Sequence, residues 1–138
     1  MRRMIVAVLF AATCVQAGEL RLELDGKGIA GTQIRVGVYS ANAPEQFPSD
    51  EQFYRGVVSE ATTDHLTVTV PDLPPGRYAV AAYVDKNRTG KQEKTFLGVP
   101  KEMYGFSNDA HGVFGPPDFA EAAFDIGEKA VTKTIHLH

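Results

Sequence analysis

Apolar and polar side chains alternate with a period of two over several short runs, and this confines the chain to β-structure. Leu20, Leu22 and Leu24 alternate with Glu19, Arg21, Glu23 and Asp25, and Gly26-Lys27-Gly28 ends the run. Ile34, Val36 and Val38 repeat the pattern up to Tyr39, and Leu66, Val68 and Val70 do so against Thr67 and Thr69. A strand turns successive side chains to opposite faces, so this period puts every apolar group of a run on one side, whereas a helix would scatter them. Tyr54 to Ser59 and the pair Phe124 and Ile126 fit shorter strands, and Val131, Ile135 and Leu137 a terminal one. Tyr78 to Val84 is so rich in Ala and Val that both of its faces are expected to be covered, which places it at the centre. Sheets with one apolar face need another layer over them. The expected fold is therefore an all-β, immunoglobulin-like or prealbumin-like antiparallel β-sandwich with one long ordered loop.

The joints are also legible. Residues 40–52 are polar and carry Pro44 and Pro48, which reads as a loop with a short turn from Pro48. In Leu73-Pro74-Pro75-Gly76, Pro75 presets φ and Gly76 is expected to supply the positive φ of a type II turn. Tyr78, opening a strand just after that corner, suits the tyrosine corner of immunoglobulin-like sandwiches, with an ordinary core-edge Tyr as the alternative.

The first 17 residues read as a signal peptide: Arg2 and Arg3, an apolar run from Met4 to Ala12, and the small-residue site Val15-Gln16-Ala17. That run is too short to span a bilayer, which needs about 20 residues, and no later stretch is long and apolar enough. Residues 18–138 then form a single domain beginning at Gly18, expected to be periplasmic or secreted. Cys14, the only Cys, leaves with the signal, so no disulfide is available. A lipid anchor on Cys14 is the competing reading, disfavoured because Thr13 precedes it where Gly, Ala or Ser is usual. The formal net charge is −3, two units more negative without Arg2 and Arg3, and no basic tract exists, which argues against nucleic acid.

Residues 85–119 hold five of the chain's thirteen Phe and Tyr residues among frequent Gly and Pro. Long excursions of this kind in compact domains are usually functional or locally folded, so this segment is the expected site. One helical turn is expected over Lys101 to Tyr104, and a second where Glu121 follows Asp118 by three residues. Asp85, Asn87, Thr89 and Glu93, with Gly90 at the sharp turn, follow the start of a calcium loop. Phe96 stands where the closing carboxylate belongs, and Lys86, Arg88, Lys91 and Lys94 oppose a cation. The alternative has Asp85 and Asn87 bonding loop amides as an Asx turn. His136 and His138 share a strand face, a spacing that suits a transition metal or simply a solvated surface. Ser107, Asp109 and His111 contain the residue types of a hydrolase triad without a nucleophile-elbow motif. Tyr104, Phe106, Phe114 and Phe119 either line a binding surface or pin the loop to the sandwich. The candidate binding residues are Glu102, Tyr104, Phe106, Ser107, Asn108 and His111.

Several stretches together resemble a family of exported bacterial proteins, the domain of unknown function 2141: Leu73-Pro74-Pro75-Gly76-Arg77-Tyr78, Asp85-Lys86-Asn87 with Gly90, Phe96-Leu97-Gly98-Val99-Pro100, Tyr104-Gly105-Phe106-Ser107-Asn108, and Phe114-Gly115-Pro116-Pro117 with Phe119. Asn is usual in that family at Thr89, and Asp at Glu93. The resemblance implies export and a β-sandwich but no established activity. The leading expectation is a non-catalytic module, without a required cofactor, that binds an envelope or extracellular protein or glycan through residues 85–119. A purely structural accessory domain and an envelope hydrolase are the alternatives.

Overall fold

The computed structural model describes residues 17–90 and 102–138. Its strands are β1 (Gly18–Asp25), β2 (Gln33–Ser40), β3 (Arg55–Glu60), β4 (His65–Leu73), β5 (Gly76–Asp85), β6 (Tyr104–Phe106), β7 (Phe124–Ile126) and β8 (Val131–His136). The one α-helix among the described residues, α1, is a single turn at Phe119–Ala122. Two sheets form, a three-stranded one in the order β4-β1-β8 and a five-stranded one in the order β3-β2-β5-β6, with β7 also on β5.

The alternation read from the sequence becomes the core. Leu20, Leu22 and Leu24 of β1 face Ile34, Val36 and Val38 of β2 and Val80 and Val84 of β5, and nearly all are fully buried. β5 is central as expected: β2 lies along one edge, and β6 and β7 share the other. One pairing departs from an antiparallel sandwich, for β1 and β8 run parallel with Leu24 opposite Ile135. No hairpin links these two strands, so no short turn dictates their direction.

The sheets are joined along one side, where Tyr104 and His138 exchange both main-chain hydrogen bonds at 3.1 Å. On the other side, no strand among the described residues bridges the edges of β3 and β4. There the Arg55 guanidinium donates to the carbonyls of Pro71 and Asp72, at 3.2 and 3.0 Å.

Several local expectations change. The left-handed residue of the β4–β5 connection is Asp72, with φ 58°, and not Gly76. β4 runs on to Leu73 through a bulge, since Gly18 pairs with Leu73 but Leu20 with Val70, and Gly76 already opens β5. The Tyr78 hydroxyl donates to the Pro74 carbonyl at 2.5 Å, the backward bond expected of a tyrosine corner. Tyr104 is extended in β6, paired with Tyr83 and His138, so no helical turn includes it; Lys101 lies outside the described residues. The turn after Asp118 forms as α1 without a side-chain cap, the Glu121 amide donating to the Asp118 carbonyl. Residues 85–119 are thus not one loop, since β6 and the 3-10 turn Ser107–Asp109 interrupt them.

The two short partners of β5 leave a gap between Tyr78 and Ala81, and Ser107 fills it. Its hydroxyl accepts the Val80 amide at 2.9 Å and donates to the Ala122 carbonyl at 2.5 Å. Ser107 and Val80 are both fully buried. Replacing Val80 with Asp should therefore cost several kcal/mol, because the carboxylate has no buried partner, against a whole-domain stability of about 5–15 kcal/mol. Thermal melting checks this: a large drop is expected, and a variant melting within a degree or two of wild type would place Val80 outside the core.

Candidate functional site: a pocket on the outer face of the five-stranded sheet

The face of the five-stranded sheet turned away from the core has a floor of small residues. Gly56 of β3 pairs with Gly37 of β2, Gly37 with Ala81 of β5, and Ala81 with Phe106 of β6, making one row across four strands. The adjacent row is large: Val58, Arg35, Tyr83 and Tyr104. Missing side chains in one row beside long ones in the next make a depression, deepened by residues 48–53 on one side and 110–116 on the other. The resulting pocket has a volume of about 800 Å³. The two glycines of the floor are required for space. A Cβ on Gly37 would lie 2.6 Å from the Tyr39 hydroxyl, and one on Gly56 would lie 2.5 Å from the Phe53 ring.

The walls are fixed from within. Phe47 meets Tyr39, Phe106 and Phe119 edge to face, with centroids 5.2, 5.7 and 6.1 Å away. This builds a second small core outside the sheet with Ala79 and Ala122. The Tyr39 hydroxyl donates to the Ser49 carbonyl, and the Ser49 hydroxyl accepts the amides of Glu51 and Gln52, which forms the expected turn after Pro48. On the other wall, Ser107 is locked to β5. The Asn108 side-chain Nδ2 donates to the Ala123 carbonyl at 2.9 Å, and Asp109 accepts the main-chain amide and ring nitrogen of His136 at 3.0 and 2.8 Å. Residues 110–116 then project over the floor.

At the upper rim, Asp85 closes the end of β5. Its fully buried carboxylate accepts from Arg35 Nε at 2.8 Å and from the Thr89 and Gly90 amides at 3.1 and 2.8 Å. Burial pushes this carboxyl up, but the Gly90 amide, the Arg35 guanidinium and the Thr89 amide outweigh it and hold it below the usual carboxylate range. The arrangement matches the amide-bonding alternative for the calcium-like stretch. Asn87 and Thr89 are exposed in the same turn, and Glu93 lies outside the described residues. Among the described residues, no three His, Cys, Asp or Glu side chains are placed to hold a metal ion.

Of the residues expected from the sequence, Tyr104, Phe106, His111 and Phe114 line the pocket, while Phe119 packs on Phe47. Ser107 is buried behind the wall, Asn108 faces Ala123 and Lys133, and Glu102 accepts the Lys86 amide at 3.2 Å. The hydrolase-type residues are likewise dispersed in role: Ser107 bonds main chain, Asp109 bonds His136, and His111 stands at the pocket. His136 is tied to Asp109, whereas the His138 ring packs on Tyr104 at 5.6 Å. Sequence reading missed Arg35, Tyr39, Phe53, Val58 and Tyr83. The signal that points to them is the glycine at outward positions of two strands, which has no function in an ordinary solvated face.

The rim is apolar. Phe53, Val58, Val113 and Phe114 are 44, 51, 88 and 101 % exposed, and all four line the pocket. The outer face of the three-stranded sheet is the opposite. There Arg21 lies between Thr69 and Thr132, Glu23 between Thr67 and Thr134, and Asp25 between His65 and His136. The hydrogen bonds of its ring to Asp25 and Glu23 raise the pKa of exposed His65.

Residues 25–134 match the model of a family described as an uncharacterized protein conserved in bacteria, DUF2141. The chain belongs to this family. The match spans β2 to β7, so it includes the sheet rows and walls of the pocket in this DUF2141 chain. No curated protein and no solved structure matches it. No helix among the described residues is long and apolar enough to cross a membrane.

The Asp85 network sets an acid dependence. A carboxyl held below its unfolded pKa contributes stability above that value and loses it as pH falls through the folded one. Asp85→Asn should cost about 1–3 kcal/mol near neutrality. The melting-temperature gap between wild type and variant should then narrow as pH falls below about 4. A gap that is constant from neutral pH to strong acid would remove the carboxylate from this role.

Proposed function

We propose that the chain is an exported, non-catalytic binding module that holds an apolar segment of an envelope or extracellular protein in the outer-face pocket. The observation that carries this reading is the cluster of exposed large apolar side chains. Phe53, Val58, Val113 and Phe114 surround one pocket of the described structure, and contiguous exposed apolar surface of this kind marks interaction sites. The apolar rim favours a protein segment over a glycan, with Arg35, Tyr104, His111 and His138 also at the pocket to meet the segment's main chain. The Tyr39 hydroxyl is already engaged with the Ser49 carbonyl, and the Tyr83 hydroxyl with the Gly90 carbonyl at 3.1 Å. Burial pushes both phenols up, Tyr83 to about 12, so they stay protonated donors to those carbonyls. No cofactor enters this reading, as the Asp85 oxygens already accept three hydrogen bonds.

The signal-like start favours export, so mass spectrometry of the exported protein should find Gly18 first; a chain retaining Met1 or Arg2 would contradict it. A purely structural accessory domain is the second reading, favoured by how thoroughly Ser107, Asn108 and Asp109 tie their segment to the sandwich.

A random-peptide display library panned on the protein separates the two. The binding reading expects enrichment of peptides with large apolar residues, and an affinity for the most enriched peptide that falls about tenfold or more in Phe114→Ser and in Ala81→Phe. Phe114 is fully exposed, so Phe114→Ser should keep the wild-type melting temperature within a few degrees; Ala81 is half-buried against the cluster around Phe47, so the Ala81→Phe affinity is read together with its melting temperature. No enrichment, or enrichment indifferent to both substitutions, would leave the structural reading in its place.

A further inference from the structure

We propose that the pocket takes its partner by strand addition: an extended segment of another protein pairs with the free edge of β3 and sets alternate apolar side chains over the outer-face floor. This rests on the peptide-binding reading above and specifies its mode. β3 is the terminal strand of the five-stranded sheet, and no strand among the described residues pairs with its far side. An edge strand presents a row of unpaired main-chain N–H and C=O groups, so whatever completes it must supply the complementary groups of an extended backbone.

Edges of this kind are usually blunted by charge or proline, and β3 is blunted only at its ends. Arg55 is turned to the Pro71 and Asp72 carbonyls and Glu60 to the Arg88 guanidinium, while Gly56-Val57-Val58-Ser59 between them has neither Lys nor Pro. The same stretch borders the pocket, for Gly56 and Val58 line it. A strand laid beside β3, about 4.8 Å away, would continue both rows of the floor. Its alternate side chains, about 7 Å apart, would fall beside Gly56 with the Phe53 ring and beside Val58. The occupant is therefore read twice, by main chain along the edge and by large apolar side chains at every second position.

The test uses the most enriched library peptide from the experiment above, with two analogues N-methylated on its odd or on its even residues. Side chains are identical in all three, but each analogue removes the amide donors of one peptide edge. Strand addition expects one analogue to lose about a hundredfold in affinity and the other to bind like the parent. It also expects the free-edge amides of Gly56 to Glu60 to exchange with solvent at least about tenfold more slowly in the complex. If both analogues bind like the parent and β3 exchange is unchanged, the pocket grips side chains alone: strand addition is overturned while the peptide-binding reading stands. If the library yields no binder, that reading fails and this inference with it. A concentration-dependent dimer of the protein alone, protecting β3 without peptide, would make a second copy the occupant and overturn the inference.

Discussion

The hydroxyl of Ser107 holds the architecture and the site in one position. β5 gives one edge to β2, and among the described residues the other edge has two three-residue partners, β6 and β7. Between them the Val80 amide would be buried without an acceptor, which costs about 1–3 kcal/mol. Ser107 accepts that amide and donates to the Ala122 carbonyl, so one side chain completes the ladder and ties both ends of residues 107–122 to the central strand. Asn108 and Asp109 extend the anchor to Ala123 and His136. With its base fixed, residues 110–116 have one direction left, over the outer face of the five-stranded sheet.

That face can be concave because the sheet carries too little side chain at its middle. Gly56, Gly37 and Ala81 form a shallow row, and the Tyr39 and Phe53 rings lie down on it where any Cβ would intervene. The satellite core around Phe47 then fills one end of the depression and leaves the other open. The three-stranded sheet instead carries Thr, Arg, Glu, Asp and His in register on its outer face. The two outer faces therefore differ in kind, one concave with an apolar rim and the other polar. Asp85 steadies the rim by joining the end of β5 to Arg35 of β2 and to the turn at Gly90.

The strands were legible because alternation is a local signal: β1, β2 and β4 appear where Leu, Ile and Val repeat at every second residue, and β5 where Ala and Val run together. The parallel pairing of β1 with β8 was not, since it joins opposite ends of the chain without a turn to announce it. Gly76 misled because Pro-Pro-Gly is a strong turn pattern, whereas the bulge at Asp72 depends on register with β1. Part of the candidate site was legible. Tyr104, Phe106, His111 and Phe114 stood out through their concentration of aromatics and polar groups, but the same criterion chose Ser107 and Asn108, whose polarity serves the main chain. Arg35, Phe53, Val58 and Tyr83 come from strands and a loop far away in sequence, and only the register of β2, β3 and β5 brings them together.

The most direct measurement is hydrogen exchange at the Val80 amide in wild type and in Ser107→Ala. The expected result is strong protection in wild type and exchange at least about tenfold faster in the variant, beyond any change at Leu22 or Leu24 in the other sheet. Unchanged protection of Val80 in Ser107→Ala would contradict the account, for the hydroxyl would then not be what holds the wall of the pocket to the centre of the fold.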